Sequence, residues 1–415
     1  MSNMTENMSS EYEFSREKIE KLNNVKMVDK DEETGLELFC YTKCEASDSY
    51  LTKQCRGVVF NGNDIVMKAF PYTLEYTTDN TTIIEKTIDN MFNDCLIYDS
   101  HEGALVRLFY FSNKWFISTH RKLNAFRSKW ASKESFGTLF KQALVSEVEN
   151  NEKLRTALPS GDENILERFY SILDPTKQYM FLILNSPENR IVCIPPSRPT
   201  LYHVGTFIND KITMTEDIYI PYSKKHNFKS LEEMYNYVDT MDYHYSQGVI
   251  LFLPNNTQFK VLNKNYYELF NARGNEPSIK YRYLQVRMDS KYNNMLYYLY
   301  PNMINVFEEY ENHIYNIAKN IYKAYVERYI KKEYVSVSQE QFNVIKECHN
   351  WHCENRKENR ITLEKIISVL NTQLPVRINH MIRQHISQKK TEMTTESTEI
   401  TTNTESVEMS TEMTN

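Results

Sequence analysis

Short apolar runs separated by turn residues dominate the chain between about residues 36 and 262. The run at 57–60 is closed by Asn61-Gly62-Asn63 and followed by a second run at 65–67, a pattern that predicts a β-hairpin. The same pattern predicts three more strand pairs: 104–111 with 114–119, 181–184 with 190–194, and 248–253 with 258–262. Helical patterns lie between them at 162–173 and 230–239. This mixture indicates an α+β domain built on antiparallel sheets.

The pattern becomes helical after about residue 289. Apolar side chains recur every three or four residues at Phe307, Tyr310, Ile314, Ile317 and Ile321, which predicts a long amphipathic helix. Further helices are predicted at 338–355 and 361–371. We therefore expect one domain over 13–289 and a helical C-terminal domain over 290–390. The apolar stripe fits packing inside the helical domain, and it also fits a surface for an unknown protein partner.

The two ends of the chain are polar and rich in Thr, Ser, Glu and Met. Such segments cannot bury enough apolar surface to fold, so 1–12 and 391–415 are predicted to be disordered. The net charge is −6, but the segment 391–415 holds six Glu and no Lys or Arg, so the rest carries 49 of each sign and sums to zero. Residues 291–390 hold fifteen Lys and Arg against ten Asp and Glu, a local charge of +5 that slightly favours nucleic acid as a partner.

Cysteine content and hydropathy suggest where the protein acts. Seven Cys in 415 residues, an odd number without a repeating framework, are typical of a reducing compartment. No apolar run approaches the roughly 20 residues that span a bilayer, and the polar N-terminus resembles no targeting peptide. We expect an intracellular protein that does not enter membranes, located in the cytoplasm or the nucleus, those of a host cell if the protein is viral.

Five short motifs follow one another over about 210 residues and carry the strongest functional signal. They are Arg-Gly at 56–57, Ser-His-Glu-Gly at 100–103, Ser-Pro-Glu-Asn-Arg-Ile-Val at 186–192, Ser-Gln-Gly-Val-Ile at 246–250 and Phe-Lys-Val-Leu at 259–262. In this order they resemble the motifs of phage-type RNA ligases, members of the nucleotidyltransferase superfamily. The resemblance implies an antiparallel-sheet nucleotidyltransferase domain of the ATP-grasp-like ligase type.

The resemblance also shows which reactive groups differ. RNA ligases carry a nucleophilic lysine where this chain has Ser100, a metal-facing glutamate at Gln247 and a second lysine at Leu262. Alignment of the third motif places an active-site glutamate at Ile183. An amine is needed to form the phosphoramidate intermediate, and carboxylates are needed to hold the metal. We therefore expect no catalytic residue and no metal site, only a ligase-like pseudoenzyme.

Other motif residues match the ligase pattern. Arg56, Glu102, Gly103 and Lys260 are expected to contact nucleotide or phosphate, with ATP and Mg²⁺ as cofactors only if nucleotide binding persists. The glycines could instead serve turn geometry alone, and Arg56 and Lys260 could be ordinary salt-bridge residues. His101 could act as a displaced nucleophile in an active ligase. Its side chain, one position along a strand, would however point to the opposite face.

A basic segment between residues 118 and 130 is a candidate for nucleic-acid binding. It contains His120, Arg121, Lys122, Arg127 and Lys129, interleaved with two aromatic residues at 126 and 130. Cations can follow a phosphate backbone while aromatic rings stack on bases, so weak binding of RNA or single-stranded nucleic acid is predicted. The alternative is an exposed basic helix whose aromatic side chains face the core.

The group Cys348, His349, His352 and Cys353 has spacing that can place pairs of zinc ligands on one helix face. Structural zinc requires four convergent ligands, which a single helical turn cannot present. Zinc binding is therefore left open.

A final segment, 273–287, resembles the end of the ligase-like domain in proteins of large DNA viruses. With the Tyr-rich, Gly-poor composition, it suggests the immediate-early protein family of iridoviruses. Three functions follow as hypotheses: a degenerate RNA-ligase-like protein that binds nucleic acid or nucleotide and a protein partner, an active ATP-dependent RNA ligase with a displaced nucleophile, or a viral early structural or interaction protein.

Overall fold

The computed structural model describes residues 14–161, 164–208, 211–254 and 257–389. The segments 1–12 and 391–415, predicted to be disordered, lie outside the described residues. The chain divides into two compact units between Asn271 and Ala272. The expected domain boundary at 289/290 stays a prediction, because the compact units divide earlier in the chain.

Fourteen strands are seen in the described residues, and they form three sheets with the orders β1-β2-β3-β4, β11-β10-β9-β7-β8 and β12-β6-β13-β14-β5. Neighbouring strands are antiparallel except for β14 and β5, which run parallel. The strands are β1 Val25–Lys30, β2 Leu36–Tyr41, β3 Arg56–Asn61, β4 Asp64–Met67, β5 Leu74–Thr77, β6 Leu96–Ser100, β7 Gly103–Phe111, β8 Lys114–Ser118, β9 Gln178–Leu184, β10 Leu201–Ile208, β11 Lys211–Thr213, β12 Lys225–His226, β13 Gly248–Phe252 and β14 Gln258–Leu262.

Helices connect these strands and make up most of the second unit. They are α1 Arg16–Glu20, α2 Tyr50–Gln54, α3 Thr81–Ile88, α4 Phe136–Asn150, α5 Glu152–Ala157, α6 Ile165–Tyr170, α7 Leu231–Thr240, α8 Lys264–Arg273, α9 Ile279–Val286, α10 Ser290–Leu299, α11 Ile304–Tyr325, α12 Gln339–Glu354 and α13 Leu363–Asn371. Residues 375–389 are also helical. The predicted α+β class with a helical C-terminal region is confirmed.

Three of the four predicted strand pairs are confirmed, and one is wrong. The β7–β8 hairpin turns at Ser112 and Asn113, whose φ angles of 49° and 63° suit the twist of the flanking strands. The segment 190–194, predicted to pair with β9, forms no strand. The backbone amides of Val192 and Cys193 instead donate to the carboxylate of Glu102. A buried side chain therefore replaces a strand partner for these amides.

The first unit buries apolar side chains in four clusters around its sheets, one of which joins α1 to β1, β2 and β3. Helices α4, α5 and α6 cover one face of the β7–β9–β10 sheet. Its other face meets the remaining two sheets in a shared interior that includes Leu38, Tyr98, Phe109, Met180 and Phe252. Helices α3 and α7 cover the outer face of the β6–β13–β14 sheet. The motif strands β6 and β13 therefore have one face on the shared interior, whereas the apolar side chains of β14 pack beneath α3 and α7.

Arg107 is a fully buried cation in the middle of β7. Its guanidinium donates to Ser118 Oγ at 3.2 Å, to the Thr119 carbonyl at 2.7 Å and to the Gly57 carbonyl. Burial lowers its pKa to about 9. These bonds join the start of β3 to the loop that follows β8, so Arg107 sets the distance between two segments that carry candidate site residues.

The predicted apolar stripe of α11 lies inside the second unit. Phe307, Ile314, Ile317 and Ile321 are buried, and α11 contacts α12 and α13. The side chain of Arg287 pairs with Glu311 of α11 at 2.6 Å, and the ring of Tyr283 stacks on Phe307. These contacts pack α9 on α11 within the second unit.

We predict that Gly57→Ala destabilises the protein far more than Gly62→Ala. Both glycines have positive φ angles, +86° and +60°, but a Cβ at 57 would lie 2.7 Å from His120 Cα, whereas a Cβ at 62 would meet no atom within 4 Å. The shared backbone strain costs roughly 1–2 kcal/mol, and overpacking at 57 adds about 1–3 kcal/mol. Urea denaturation of both variants measures the difference. Equal losses of unfolding free energy would show that the loop after β8 does not constrain β3.

Candidate functional site

The residues of the second and fourth motifs meet at the end of β6. Ser100 and Gly248 are paired across β6 and β13, which brings the side chain of Gln247 next to Ser100. Ser100 is buried, and its hydroxyl donates to Gln247 Oε1 at 2.9 Å. The hydroxyl of Ser100 is therefore held by a neutral amide.

Gln247 binds two further side chains of the motif set. Its Oε1 also accepts a hydrogen bond from Lys260 Nζ at 3.1 Å, and its Nε2 donates to the hydroxyl of Tyr266 at 2.7 Å. Lys260 forms an ion pair with Glu75 of β5, with 3.0 Å between Nζ and Oε1. Lys260 therefore forms a salt bridge, and its ammonium group lies beside the side-chain amide of Gln247.

Glu102 extends this chain of contacts into the protein. Its carboxylate oxygens accept hydrogen bonds from the backbone amides of Val192 and Cys193 at 2.8 and 3.1 Å. Burial raises the pKa of Glu102, whereas the amides and the hydroxyl of Tyr266 oppose that rise. Burial also raises the pKa of Tyr266, and the neighbouring Glu102 adds to the effect.

These contacts form one continuous set of polar side chains, which we call the motif network. Its members are Glu75, Ser100, Glu102, Gln247, Lys260 and Tyr266. Hydrogen bonds among these groups satisfy much of their bonding capacity, as burial demands. The network can hold the ends of β6 and β14 together, and one cation and two hydroxyl groups lie within it.

Two of the four positions at which the ligase resemblance implies a reactive group carry apolar side chains in this protein. Ile183 lies in the apolar core beneath α4 and α6, among residues such as Phe140 and Phe169. Leu262, at the end of β14, is also buried. Hence Ser100 and Gln247 are brought together, whereas Ile183 belongs to the helix-covered core.

Arg56 and Gly103 are separate from the motif network. Arg56 Nη1 lies 3.5 Å from Thr73 Oγ1, which accepts a hydrogen bond from Gln258 of β14 at 2.7 Å. Arg56 is thus linked to β14 through Thr73, the residue before β5. Gly103 pairs with Leu184, and a Cβ there would lie 2.3 Å from the carbonyl oxygen of Ile183. Close strand packing therefore requires glycine at 103, which favours the structural interpretation of this residue.

His101 is held by groups outside the motif network. Its Nδ1 lies 3.3 Å from the carbonyl oxygen of Tyr245, and its ring stacks on Tyr202 with 5.1 Å between ring centres. Burial lowers the pKa of His101. The imidazole is therefore fixed and favoured in its neutral form.

The basic segment is mostly a loop, and the alternative of a basic helix does not describe it; within it only 125–127 form a short 3₁₀ turn. Burial and three neighbouring arginines lower the pKa of His120 to about 3, so His120 carries no charge at neutral pH. Lys122 pairs with Asp29 at 3.3 Å. Three cations of the segment, Arg121, Arg127 and Lys129, are exposed. The candidate nucleic-acid surface is thus narrower than the sequence pattern suggested.

The residues at the motif network do not fit a magnesium ion. Mg²⁺ prefers oxygen ligands, usually including carboxylates, but Gln247 Oε1 already accepts hydrogen bonds from Ser100 and from the cation of Lys260. A second cation there would meet the ammonium group of Lys260. No cluster of three or more potential metal-ligating side chains occurs in the described parts of the chain.

The cysteine and histidine side chains of α12 diverge. Cys348 is buried in the helical unit, whereas Cys353 is exposed. His352 Nδ1 lies 2.6 Å from the carbonyl oxygen of Asn359. Only His349 and Cys353 approach each other, with 3.5 Å between Nε2 and Sγ. The spacing that suggested a zinc site therefore brings together two of the four side chains, His349 and Cys353.

Two important residues escaped the sequence analysis. Glu75 is a charged residue of the short strand β5, and no local sequence pattern connects it with Lys260. Arg107 did leave a signal, because it is a charged residue inside the apolar run 104–109. Such a charge in a strand predicted to be buried indicates a buried polar contact.

The helical unit contains an open, polar groove of about 680 Å³. Its lining includes Asn320, Lys323, Glu327, Gln341, Gln384 and Gln388.

Within the described residues, no helix combines the length and apolar content needed to cross a membrane.

Three curated proteins are similar in sequence. The immediate-early protein ICP-46 homolog of Invertebrate iridescent virus 6 is 29% identical over 376 residues, which cover 85% of this chain and 81% of that protein. The homolog of Invertebrate iridescent virus 3 is 30% identical over 338 residues, covering 77% and 71%. The immediate-early protein ICP-46 of Frog virus 3 is 25% identical over 266 residues, covering 62% and 64%. No protein-family model matches the chain.

Two ligases are among the solved structures with a similar fold. A putative ATP-dependent DNA ligase from Aquifex aeolicus has a TM-score of 0.39 at 13% identity and covers 75% of this chain and 79% of its own. An archaeal ATP-dependent RNA ligase has a TM-score of 0.37 at 11% identity, covering 68% and 70%.

We predict that the raised pKa of Glu102 makes the protein less stable, relative to Glu102→Gln, as the pH rises. A carboxyl whose pKa is raised by folding contributes stability below its ordinary pKa, and this contribution is lost as the pH passes its folded pKa. Urea denaturation from about pH 4 to pH 8 measures both variants. Glu149→Gln, at an exposed position of α4, should run parallel to the wild type. A parallel curve for Glu102→Gln would contradict the effect of burial.

Proposed function

The chain belongs to the iridovirus immediate-early protein ICP-46 family, and we propose that its first unit is a nucleotidyltransferase-like domain that binds nucleic acid without covalent catalysis. The observation that supports this proposal most directly is the hydrogen bond from Ser100 to Gln247. It occurs at the position where the ligase resemblance implies a nucleophilic lysine. The proposal makes the protein a ligase-like pseudoenzyme.

Nucleotidyl transfer requires a nucleophile that can lose its proton near a polarised phosphate. The hydroxyl of Ser100 donates to an amide oxygen, which is too weak a base to remove the proton. The position of the metal-facing carboxylate is held by the neutral Gln247, next to the ammonium group of Lys260. Both the attacking group and the charge that would hold a metal therefore differ from what the ligase reaction needs.

We expect no covalent nucleotide adduct on the purified protein. Incubation with α-labelled ATP or GTP and Mg²⁺ or Mn²⁺, followed by denaturing electrophoresis, should show no stoichiometric label. Ser100→Lys should also remain unlabelled, because Gln247 and Leu262 still replace the other charged groups. The alternative, an active ligase with a displaced nucleophile, requires label on the wild type that disappears in His101→Ala.

Support for a phosphate ligand comes from the positive charge around the start of β3. The pKa of His120 is lowered by burial and then by Arg56, Arg107 and Arg121, so three guanidinium groups act on one small region. Arg121 is exposed, and Arg127 and Lys129 continue the exposed charge along the same loop. Phe126 remains 42% exposed beside them, although its ring lies against Gly137. A cationic loop with a partly exposed ring suits single-stranded RNA or DNA.

We predict weak, salt-dependent binding of single-stranded RNA. Each phosphate contact on a single strand contributes a slope of about −0.7 to the dependence of log K on log salt. Replacing Arg121, Arg127 and Lys129 together by alanine should therefore flatten the slope by up to about two units. Fluorescence anisotropy between about 50 and 200 mM salt measures it.

Lys122→Ala is the matched control, because Lys122 lies in the same loop but is paired with Asp29. It should change the slope by less than any of the three exposed cations. If the wild type binds neither RNA nor single-stranded DNA at low salt, the proposal of nucleic-acid binding is wrong. The hypothesis of an early structural or interaction protein would then gain support.

A protein partner of the helical unit remains a separate proposal. The groove near Lys323 and Glu327 supports it, because its volume and polar lining suit a partner that is bound through hydrogen bonds.

An intracellular site of action, in cytoplasm or nucleus, is also proposed. It is supported by the seven cysteines, each of which has a free thiol.

A further inference from the structure

Cys353 lies in the last turn of α12, one helical turn after His349. Its Sγ is 3.5 Å from His349 Nε2, and the other ring nitrogen of His349 is 3.3 Å from the hydroxyl of Tyr325. The ring of His349 also stacks on Tyr329, with 3.7 Å between ring centres. The guanidinium of Arg356 lies 3.9 Å from Cys353 Sγ. A thiol, an imidazole and a phenol therefore stand in line, with a cation beside the sulfur.

We propose that Cys353 is a reactive thiol and the site at which this protein forms mixed disulfides with small-molecule disulfides. The arrangement has the three parts that activate a nucleophile: the nucleophile, a base within reach, and a third group that orients the base. If His349 Nδ1–H donates to the oxygen of Tyr325, then Nε2 is left with a lone pair that faces Cys353. The stack on Tyr329 limits rotation of the imidazole. No part of the proposed nucleic-acid function uses this group.

The charges around His349 favour its role as a base. Burial lowers its pKa, and the neighbouring His352, Arg356 and Lys332 lower it further. The imidazole is therefore neutral near pH 7 and can accept a proton. Arg356 can then stabilise the thiolate, which offsets the unfavourable end of the helix dipole.

The other six cysteines differ from Cys353 in their surroundings. Burial raises the pKa of each, namely Cys40, Cys44, Cys55, Cys95, Cys193 and Cys348. A raised pKa lowers the thiolate fraction, and the thiolate is the species that reacts. Cys353 is exposed and so is open to a reagent. It is therefore expected to react first.

The proposed step is thiol–disulfide exchange. The proton of Cys353 moves to His349 Nε2, and the thiolate attacks one sulfur of a small disulfide. A new S–S bond forms between Cys353 and that sulfur, while the original S–S bond breaks. The second sulfur leaves as a thiolate and takes up the proton, so one disulfide and one thiol are consumed and one of each is produced.

Reaction of the full chain with dithiodipyridine, an uncharged aromatic disulfide, tests the proposal, because the released thiopyridone can be followed by its absorbance. At about pH 7.5 we expect one fast equivalent per chain. Cys353→Ser should remove it, whereas Cys44→Ser and Cys95→Ser should retain it. A fast equivalent that survives Cys353→Ser would overturn the proposal.

His349→Gln tests the role of the imidazole. The rate at Cys353 should fall roughly tenfold or more near pH 7.5, the size expected when a positioned base is removed. The rates of wild type and variant should converge as the pH is lowered, because a protonated imidazole cannot accept the proton. Arg356→Gln, a change at an exposed position, should slow the reaction less and provides a second variant should His349→Gln fail to fold. Equal rates in wild type and both variants would show that Cys353 is only an accessible thiol.

Discussion

The side-chain amide of Gln247 is the contact on which the candidate site depends. It accepts from Ser100 and Lys260 and donates to Tyr266, so one neutral group joins β6, β14 and the start of α8. An amide can accept and donate at once, whereas a carboxylate can only accept when ionised. A glutamate at 247 would leave the hydroxyl of Tyr266 without its amide donor and would place a second negative charge near Glu75 and Glu102. The identity of this one residue therefore determines whether the site closes on itself or presents charge to a ligand.

Arg107 has the corresponding role at the other candidate surface. A buried cation is costly, so the hydrogen bonds that Arg107 donates to the carbonyl oxygens of Gly57 and Thr119 must be kept. Those carbonyls belong to the two segments that carry Arg56 and Arg121. The positive surface thus depends on a buried residue that cannot itself contact a ligand. Burial and the three neighbouring guanidinium groups lower the pKa of His120, the residue after Thr119, so its imidazole is neutral.

The two units differ in the chemistry that they offer. In the first unit Ser100 and Gln247, two of the positions at which the ligase resemblance implies reactive groups, are bound to each other, and exposed cations lie on the loop after β8. In the second unit an exposed thiol lies beside a half-buried imidazole. Binding and covalent reactivity are therefore proposed for different units of the same chain.

The sequence by itself determined the α+β class, the long helix α11 and three of the four predicted strand pairs, because period-two and helical patterns and turn residues act locally. It also pointed to Ser100, Ile183, Gln247 and Leu262 as the positions at which the ligase resemblance implies other residues. Only the tertiary structure decided that Glu102 captures the amides of 192–193, that His120 is neutral and that Ile183 faces the core. Each of these outcomes depends on burial or on a partner distant in sequence, such as the 90 positions between Glu102 and Val192. Local patterns contain no information about such partners, since desolvation and pairing are set by the assembled fold.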